Sequence, residues 1–143
     1  MLRLIEPLSL PALAVSVVAC SPSDFIRVWH VARPFIEMSC ARAGAPFSEA
    51  DEVALADGKK TLWLVVLDES EVIGAGISGI YGQILRIHHF AGHHLHLYQD
   101  KLAVIEDYAK DRGCDRVLFD ARLGWQRKLP GYRVSAVIME KKL

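Results

Sequence analysis

Apolar runs of strand length alternate with short polar turns along most of this chain. Residues 13–20 (LAVSVVAC) are apolar and rich in valine, which is typical of a buried strand. Three further apolar runs, at residues 61–67, 72–81 and 84–90, are separated by only a few polar or glycine residues. Because strands joined by such short turns pair with each other, the pattern predicts an antiparallel meander in the middle of the chain.

Helical periodicity lies on both sides of this meander. Ser21 can cap a helix in which apolar residues recur every three or four positions, and Pro34 is expected to kink or divide that helix. Ser48, followed by acidic residues, begins a second, short helix. The clearest helix is predicted at residues 97–112, where Gly113 closes it.

The C-terminal part of the chain completes the order of elements. A strand is predicted at residues 116–121, a short helix at 125–129 and a last strand at 134–140. The order β-α-α-β-β-β-α-β-α-β predicts an α/β (α+β) domain with a mixed central sheet flanked by helices. Because parallel strands need a connection of about a dozen residues, the strands at 84–90 and 116–121 are expected to run parallel, joined by the main helix.

Length and composition fit one folded domain without a polyanionic partner. The chain has 143 residues, of which 52% are hydrophobic and 24% are charged. Seventeen basic residues balance seventeen acidic residues, so we expect neither a nucleic-acid partner nor a membrane partner. Three cysteines without paired short spacing indicate reduced structural thiols and a cytoplasmic location.

The first residues are apolar but differ in pattern from the rest of the chain. Residues 17–20 (VVAC) resemble a lipoprotein cleavage box, yet an acidic residue and two prolines interrupt the apolar run that a signal peptide needs. We therefore interpret residues 1–12 as an N-terminal arm and residues 13–143 as the domain. An arm of this apolarity is expected to contact a protein partner or a second copy of the chain.

Five histidines are concentrated in one short stretch: His88, His89, His93, His94 and His96. Neutral imidazole binds metals and exchanges protons near neutral pH. On a regular strand, His88 and His89 would point to opposite faces and could not share a metal. The chain has no His-Glu-x-x-His or Cys-x-x-Cys motif, so no metal site is predicted. The favoured interpretation is a polar loop, and the alternative is anion binding at the start of the following helix.

Several segments, taken in order, resemble the GNAT (N-acetyltransferase) superfamily. Residues 62–66 (LWLVV) and 73–75 (IGA) are similar to its first paired strands, and residues 105–114 (IEDYAKDRGC) to its main helix. Residues 122–132 (RLGWQRKLPGY) resemble its short helix before a Gly-Phe pair. The combination is most similar to small GNAT-like proteins of phages and prophages. This resemblance implies acetyl-CoA bound where the fourth and fifth strands splay apart.

The superfamily holds the pyrophosphate of coenzyme A with an Arg/Gln-x-x-Gly-x-Gly/Ala loop before its main helix. The corresponding stretch, residues 91–97 (AGHHLHL), has Gly92 but carries His94 and His96 near the glycine positions, with Leu97 at the helix start. Side chains there would crowd a phosphate that needs close backbone approach. The resemblance therefore implies no certain cofactor, or acetyl-CoA if the chain is an enzyme.

The resemblance also implies a general base for an amine, and the candidates are His89, Glu106 and Asp120. The alternative interpretation is that Glu106 is solvated and that Asp120 pairs with Arg116 or Arg122. The short helix lacks the tyrosine that often serves the family as catalytic acid. These departures favour a non-catalytic binding or assembly protein of phage or prophage origin, in the cytoplasm or as a virion component. The alternative is an acetyl-CoA-dependent N-acetyltransferase acting on an unidentified amine.

Overall fold

Five strands form one sheet with helices on both faces. The computed structural model describes residues 14–44, 46–121, 123–137 and 139–143. The strands are β1 (Val15–Cys20), β2 (Thr61–Leu67), β3 (Glu71–Tyr81), β4 (Ile84–Gly92) and β5 (Arg116–Phe119). The helices are α1 (Pro22–Ala43), α2 (Glu49–Ala56) and α3 (Ala103–Asp111), with 3₁₀ turns at Leu95–Leu97, Gln99–Leu102 and Leu123–Arg127. The predicted α/β class is confirmed, and the arm at residues 1–12 lies outside the described residues.

The strands lie side by side in chain order, from β1 to β5. The first four strands are antiparallel, and β5 runs parallel to β4, with Ile84 beside Arg116 and Ile87 beside Phe119. A tight turn cannot join two parallel strands, so the chain crosses from β4 to β5 through two 3₁₀ turns and α3. The predicted parallel arrangement of these two strands is confirmed.

The sheet divides the core into two layers. Alternate residues of a strand point to opposite faces, so Trp63 and Val65 pack on the side of α3, whereas Leu62 and Leu64 pack on the side of α1 and α2. We call these sides the α3 layer and the α1 layer. Other buried residues of the α3 layer are Leu85, Ile87, Phe90, Tyr98, Leu102 and Ile105. Other buried residues of the α1 layer are Phe25, Trp29, Ile36, Cys40, Ala75 and Ile77.

Helix α1 is continuous across Pro34. Ser21 precedes the helix in an extended conformation, and Gly44 ends it with a positive φ of 72°. Proline removes one backbone donor, but Pro34 is exposed, and the solvent side of a helix tolerates weakened hydrogen bonds. The expected division of this helix therefore does not occur. Although α1 has 22 residues, no described helix is both long and apolar enough to cross a membrane.

The main helix begins later than its sequence predicts. Two 3₁₀ turns occupy most of residues 95–102, and the regular helix α3 starts only at Ala103. In these turns the N–H groups of Leu97 and Lys101 donate to the carbonyls of His94 and Tyr98, three residues earlier in each case. The tighter winding buries Tyr98 almost completely, at 1% exposure. The predicted start of the helix at residue 97 is therefore wrong, because the regular helix starts only at Ala103.

The last predicted strand does not form in residues 134–137 and 139–140, which have no regular secondary structure and are exposed. Arg133 and the three residues after it lie near β5 across a cavity of about 200 Å³. Side chains of Trp125, Leu129 and Tyr132 also line this cavity. In the described residues, the sheet ends at β5, and this segment does not pair with it. The predicted short helix at 125–129 is instead the 3₁₀ turn Leu123–Arg127.

Candidate functional site

A β-bulge interrupts β4 at His88. Ile77 of β3 pairs with His89, but the next residue of β3, Ser78, pairs with Ile87. One residue of β4 is therefore unpaired with β3, and that residue is His88. Such a bulge re-aims the side chains on the longer strand.

The packing of β4 shows the same insertion. Leu85 and Ile87 lie in the α3 layer, and the next residue of this strand in that layer is Phe90. The spacing of buried residues thus changes from two to three, so His88 and His89 both turn away from the α3 layer. The prediction that these two histidines point to opposite faces is wrong because it assumed a regular strand.

The strands β4 and β5 separate next to this bulge. Their parallel pairing ends at Ile87 and Phe119, and the N–H of Asp120 makes one further bond to the carbonyl of Ile87, at 3.0 Å. In the part of the chain that the structure describes, β4 continues to Gly92 without a partner from β5. We call the opening between the two strands, which begins beside His88 and Asp120, the β4–β5 gap.

His88 contacts a hydroxyl at one ring nitrogen and faces a carboxylate at the other. The hydroxyl oxygen of Tyr81 lies 2.8 Å from Nε2, and Oδ2 of Asp120 lies 4.0 Å from Nδ1. Arg86 binds the same carboxylate, with Nε 3.1 and 3.0 Å from its two oxygens and Nη2 2.9 Å from Oδ2. Burial is the main cause that lowers the pKa of His88, so its imidazole is neutral at neutral pH.

His89 packs against the C-terminal half of α1. Its Nδ1 lies 3.5 Å from the hydroxyl of Ser39 and 3.8 Å from the thiol of Cys40. Burial lowers the pKa of His89, so this second imidazole is also neutral. Burial raises the pKa of the Cys40 thiol, which disfavours the thiolate that nucleophilic catalysis needs. The contact between Cys40 and His89 is therefore a packing contact.

The three candidate bases are not all in one place. His89 lies on the α1 side of the sheet, and the negative charge of Asp120 is near enough to act on it. Glu106 belongs to α3 on the other side of the sheet, where it adds to the burial that raises the pKa of Tyr132 to about 12. The structure thus brings His89 and Asp120 to one side of the sheet and leaves Glu106 in the other layer. Asp120 pairs with Arg86 of the neighbouring strand, whereas the sequence analysis considered Arg116 and Arg122 as its partners.

The stretch before α3 is closed by its own packing. A Cβ on Gly92 would overlap the hydroxyl of the buried Tyr98, so this glycine serves close packing rather than access for a ligand. His94 has a left-handed φ of 56°, and its exposed side chain stands beside that of His96, with ring centres 6.0 Å apart. Leu97 packs against the α3 layer. This loop therefore presents side chains where the superfamily presents glycine.

Metal ligands do not assemble in the described ranges. No group of three or more His, Cys, Asp or Glu side chains there could hold a metal ion. The rings of His94 and His96 stand at 90° to each other, with ring centres 6.0 Å apart.

The sequence analysis missed Tyr81 and Arg86, which both contact the histidine–aspartate pair. Tyr81 ends β3, seven residues before His88, and only the hairpin brings the two together. The signal that could have found them is the spacing of Leu85, Ile87 and Phe90, which reveals the bulge. Pairing two strands across that bulge would have placed Tyr81 beside His88.

Comparison with known proteins identifies the fold through structure alone. No protein-family model and no curated protein matches the chain. An aminoglycoside acetyltransferase from an uncultured soil metagenomic sample superposes with a TM-score of 0.65 at 12% identity, covering 90% of this chain and 96% of that one. A ribosomal-protein-alanine N-acetyltransferase from Brucella melitensis biovar Abortus 2308 has a TM-score of 0.60 at 14% identity, with coverage of 90% and 100%.

A third solved structure carries the family's name. A GNAT family acetyltransferase from Staphylococcus aureus has a TM-score of 0.54 at 17% identity and covers 91% of this chain and 99% of its own. At such identities the likeness concerns the fold, and it extends over nearly the whole length of each neighbour. The mixed sheet with a parallel β4–β5 pair and helices on both faces is therefore the fold of the GNAT acetyltransferases.

Proposed function

We propose that this chain is an N-acetyltransferase that transfers an acetyl group from acetyl-CoA to an amine. The observation that carries the proposal is the β4–β5 gap, where a bulge turns two neutral histidines to the α1 side of the sheet and His88 faces Asp120 as the strands separate. Groups that exchange protons near neutral pH, held at an opening in a sheet, suit acid–base chemistry. Neighbours of the same fold are named for aminoglycosides and for ribosomal-protein alanine, which supports an amine acceptor.

The two halves of the coenzyme fit this chain unequally. The coenzyme supplies, when bound, an acetyl group activated as a thioester. Backbone groups of β4 beyond His88 and the end of β5 would hold its arm, because they border the gap without pairing to each other. The loop at Gly92, His94 and His96 fits the pyrophosphate poorly, because side chains and the buried Tyr98 occupy the close approaches.

Replacing His94 and His96 together with glycine is expected to tighten coenzyme A binding by about tenfold or more, because it removes both side chains from the phosphate approach and leaves a backbone that tolerates positive φ. Isothermal titration calorimetry with coenzyme A measures the change. The double alanine variant is the control, since it removes the rings but keeps each Cβ. Tight binding by the original protein that is lost in the glycine variant would show that the histidines themselves bind the anion.

The proposed activity is tested with acetyl-CoA and a panel of primary amines. Cys20, Cys40 and Cys114 are free and would react with thiol reagents, so turnover is best followed by the loss of thioester absorbance. Binding of acetyl-CoA together with acetylation of an amine would support the proposal. A protein that neither binds acetyl-CoA nor consumes it with any amine would overturn it.

The second candidate is the binding role favoured by the sequence, in a phage-derived protein. Its support is the poor pyrophosphate fit and an exposed apolar C-terminal stretch that includes Val137 and Met139, exposed by 70% and 91%. Deleting residues 1–10 is expected to leave a folded domain that no longer associates with a second copy of the chain or with a partner protein. Circular dichroism with light scattering after size exclusion measures both properties. Unfolding would assign the arm to the core, and an unchanged particle size with no partner lost would argue against the binding role.

A further inference from the structure

We propose that Tyr81 and His88 form the proton path of this site, with Tyr81 as the residue that meets the amine. The inference rests on the proposed function and adds a catalytic pair to it. In the transfer step the amine nitrogen bonds to the carbonyl carbon, and the electron pair of the broken C–S bond leaves with the sulfur. The proton of the amine passes to the Tyr81 oxygen as the Tyr81 proton passes to Nε2 of His88. His88 then returns its proton to solvent, from which the sulfur is protonated.

The proton path requires one direction of donation within the pair. In this path the Tyr81 hydroxyl, 2.8 Å from Nε2, donates to a neutral imidazole, which places the imidazole proton on Nδ1. Because the hydroxyl proton is engaged with His88, the remaining lone pairs of the Tyr81 oxygen are free to accept a proton. Tyr81 is 49% exposed, whereas the side chain of His88 is only 21% exposed. The hydroxyl is therefore the member of the pair that an amine can reach.

A glycine makes room for this hydrogen bond. A Cβ on Gly79 would lie 2.9 Å from the Tyr81 hydroxyl and 3.1 Å from both Cε2 and Cζ of its ring. The ring thus lies back over the strand at Gly79, which carries the hydroxyl towards β4. Its edge meets the His88 ring at 89°, with centroids 5.6 Å apart. Gly79 has no positive φ, so close approach of the ring accounts for a glycine here.

Burial lowers the pKa of His88 most, and the charges around it act in both directions. Asp120 faces Nδ1 at 4.0 Å and raises the pKa of His88, as does Asp51. Burial is the larger effect and lowers that pKa, and Lys60 and Arg86 lower it further. The imidazole is therefore neutral before the reaction. The negative charge of Asp120, beside Nδ1, stabilises the imidazolium that forms when His88 accepts the proton. Arg86 fixes the Asp120 carboxylate with three contacts, which makes these two residues positioning residues.

His89 has a different environment from His88. Its ring faces Ser39 and Cys40 of α1, and among the described residues no tyrosine hydroxyl lies within hydrogen-bonding distance of it. A proton taken by His89 would also lack a carboxylate within 4 Å, whereas His88 has Asp120 at that distance. These differences favour His88 as the base and Tyr81 as its link to the amine.

Imidazole nitrogen NMR tests the hydrogen bond independently of activity. With ¹⁵N-labelled histidine, and with the His88→Gln variant to assign the signal, the wild-type ring should carry its proton on Nδ1. In Tyr81→Phe the acceptor role of Nε2 ends, and the proton should redistribute between the two nitrogens. An unchanged tautomer in Tyr81→Phe would overturn the inference.

Kinetics test the role of the pair with a matched tyrosine. Tyr81→Phe is expected to lower kcat by about 100-fold with little change in KM for acetyl-CoA, as is typical for loss of a general base path. Tyr108→Phe is the control, because that hydroxyl also makes one side-chain contact, 2.9 Å from Thr61, but on the α3 side of the sheet. Gly79→Ala should reproduce part of the loss by displacing the ring while leaving the hydroxyl intact.

The outcomes separate this inference from the proposed function. If acetyl-CoA is neither bound nor consumed by the wild-type protein, both proposals fail. If the wild-type protein acetylates an amine and Tyr81→Phe is no slower than Tyr108→Phe, the proton path alone is overturned. A large loss in His89→Gln with none in Tyr81→Phe would also overturn it and would transfer the role to His89. A selective loss in Tyr81→Phe and His88→Gln supports it.

Discussion

Replacing Gly76 with alanine is expected to destabilise the domain by about 3 kcal/mol, because overpacking a closed core commonly costs 1–3 kcal/mol and this site cannot relax. The new Cβ would overlap the ring of Phe90 and lie 2.9 Å from the carbonyl oxygen of His89. The Phe90 ring is held in place by Tyr98, Phe119 and Trp125 around it. Urea denaturation followed by circular dichroism gives the change in the free energy of unfolding.

The matched control for this substitution is Gly124→Ala. A Cβ at Gly124 meets no atom within 4 Å, and its φ is not in the left-handed region. Alanine there should leave the free energy of unfolding within about 0.5 kcal/mol of the wild-type value. Equal effects of the two substitutions would contradict the account of Gly76 as a site of close strand packing.

Deleting His88 is expected to lower acetyl transfer by at least about 100-fold while the domain stays folded. In the shortened strand, Leu85, Ile87 and Phe90 would lie at every second position. Each apolar side chain would therefore keep its face of the sheet. The bulge disappears together with the partner of Tyr81. Circular dichroism and thioester consumption measure the two effects separately.

Deletion of Arg86 is the control, because it also removes one residue of β4, two positions before His88. It would place Ile87 on the α1 side and His88 in the apolar α3 layer if the strand paired regularly, since a slip of one residue exchanges the two faces. The free energy of unfolding of this variant should fall by several kcal/mol, which is close to the whole stability of a typical domain. A His88 deletion that unfolds as readily would show that the bulge is needed for folding rather than for the site.

Much of the fold could be predicted because its strands are local apolar runs with clear turns. The three strands of the meander, β2, β3 and β4, could be predicted from their own composition. The last predicted strand failed because strand formation depends on a partner, and the described part of that segment faces β5 across a cavity instead of pairing with it. The early start predicted for the main helix failed because burial of Tyr98 selects a tighter turn that periodicity does not reveal.

The candidate site was predicted less completely than the fold. His89 was proposed from its residue type and Asp120 also from its place near a strand end, and the structure places both where β4 and β5 separate. Glu106 was placed with them because a helix position alone does not say which face of a sheet it covers. Tyr81 was missed because its role depends on an unpaired residue in the neighbouring strand, and that bulge changes which side chains face one another.

The separation of the core by the sheet has a consequence for engineering this protein. The residues with acid–base chemistry face the α1 layer, and the side chains of α3 that anchor the domain, such as Leu102 and Ile105, face the other. A library that seeks new acceptors would therefore vary positions on the α1 side, such as Ser39, without touching the α3 layer. A search for a more thermostable form would vary the α3 layer instead. The two collections of substitutions should combine almost additively, since they lie on opposite faces of the sheet and share few neighbours.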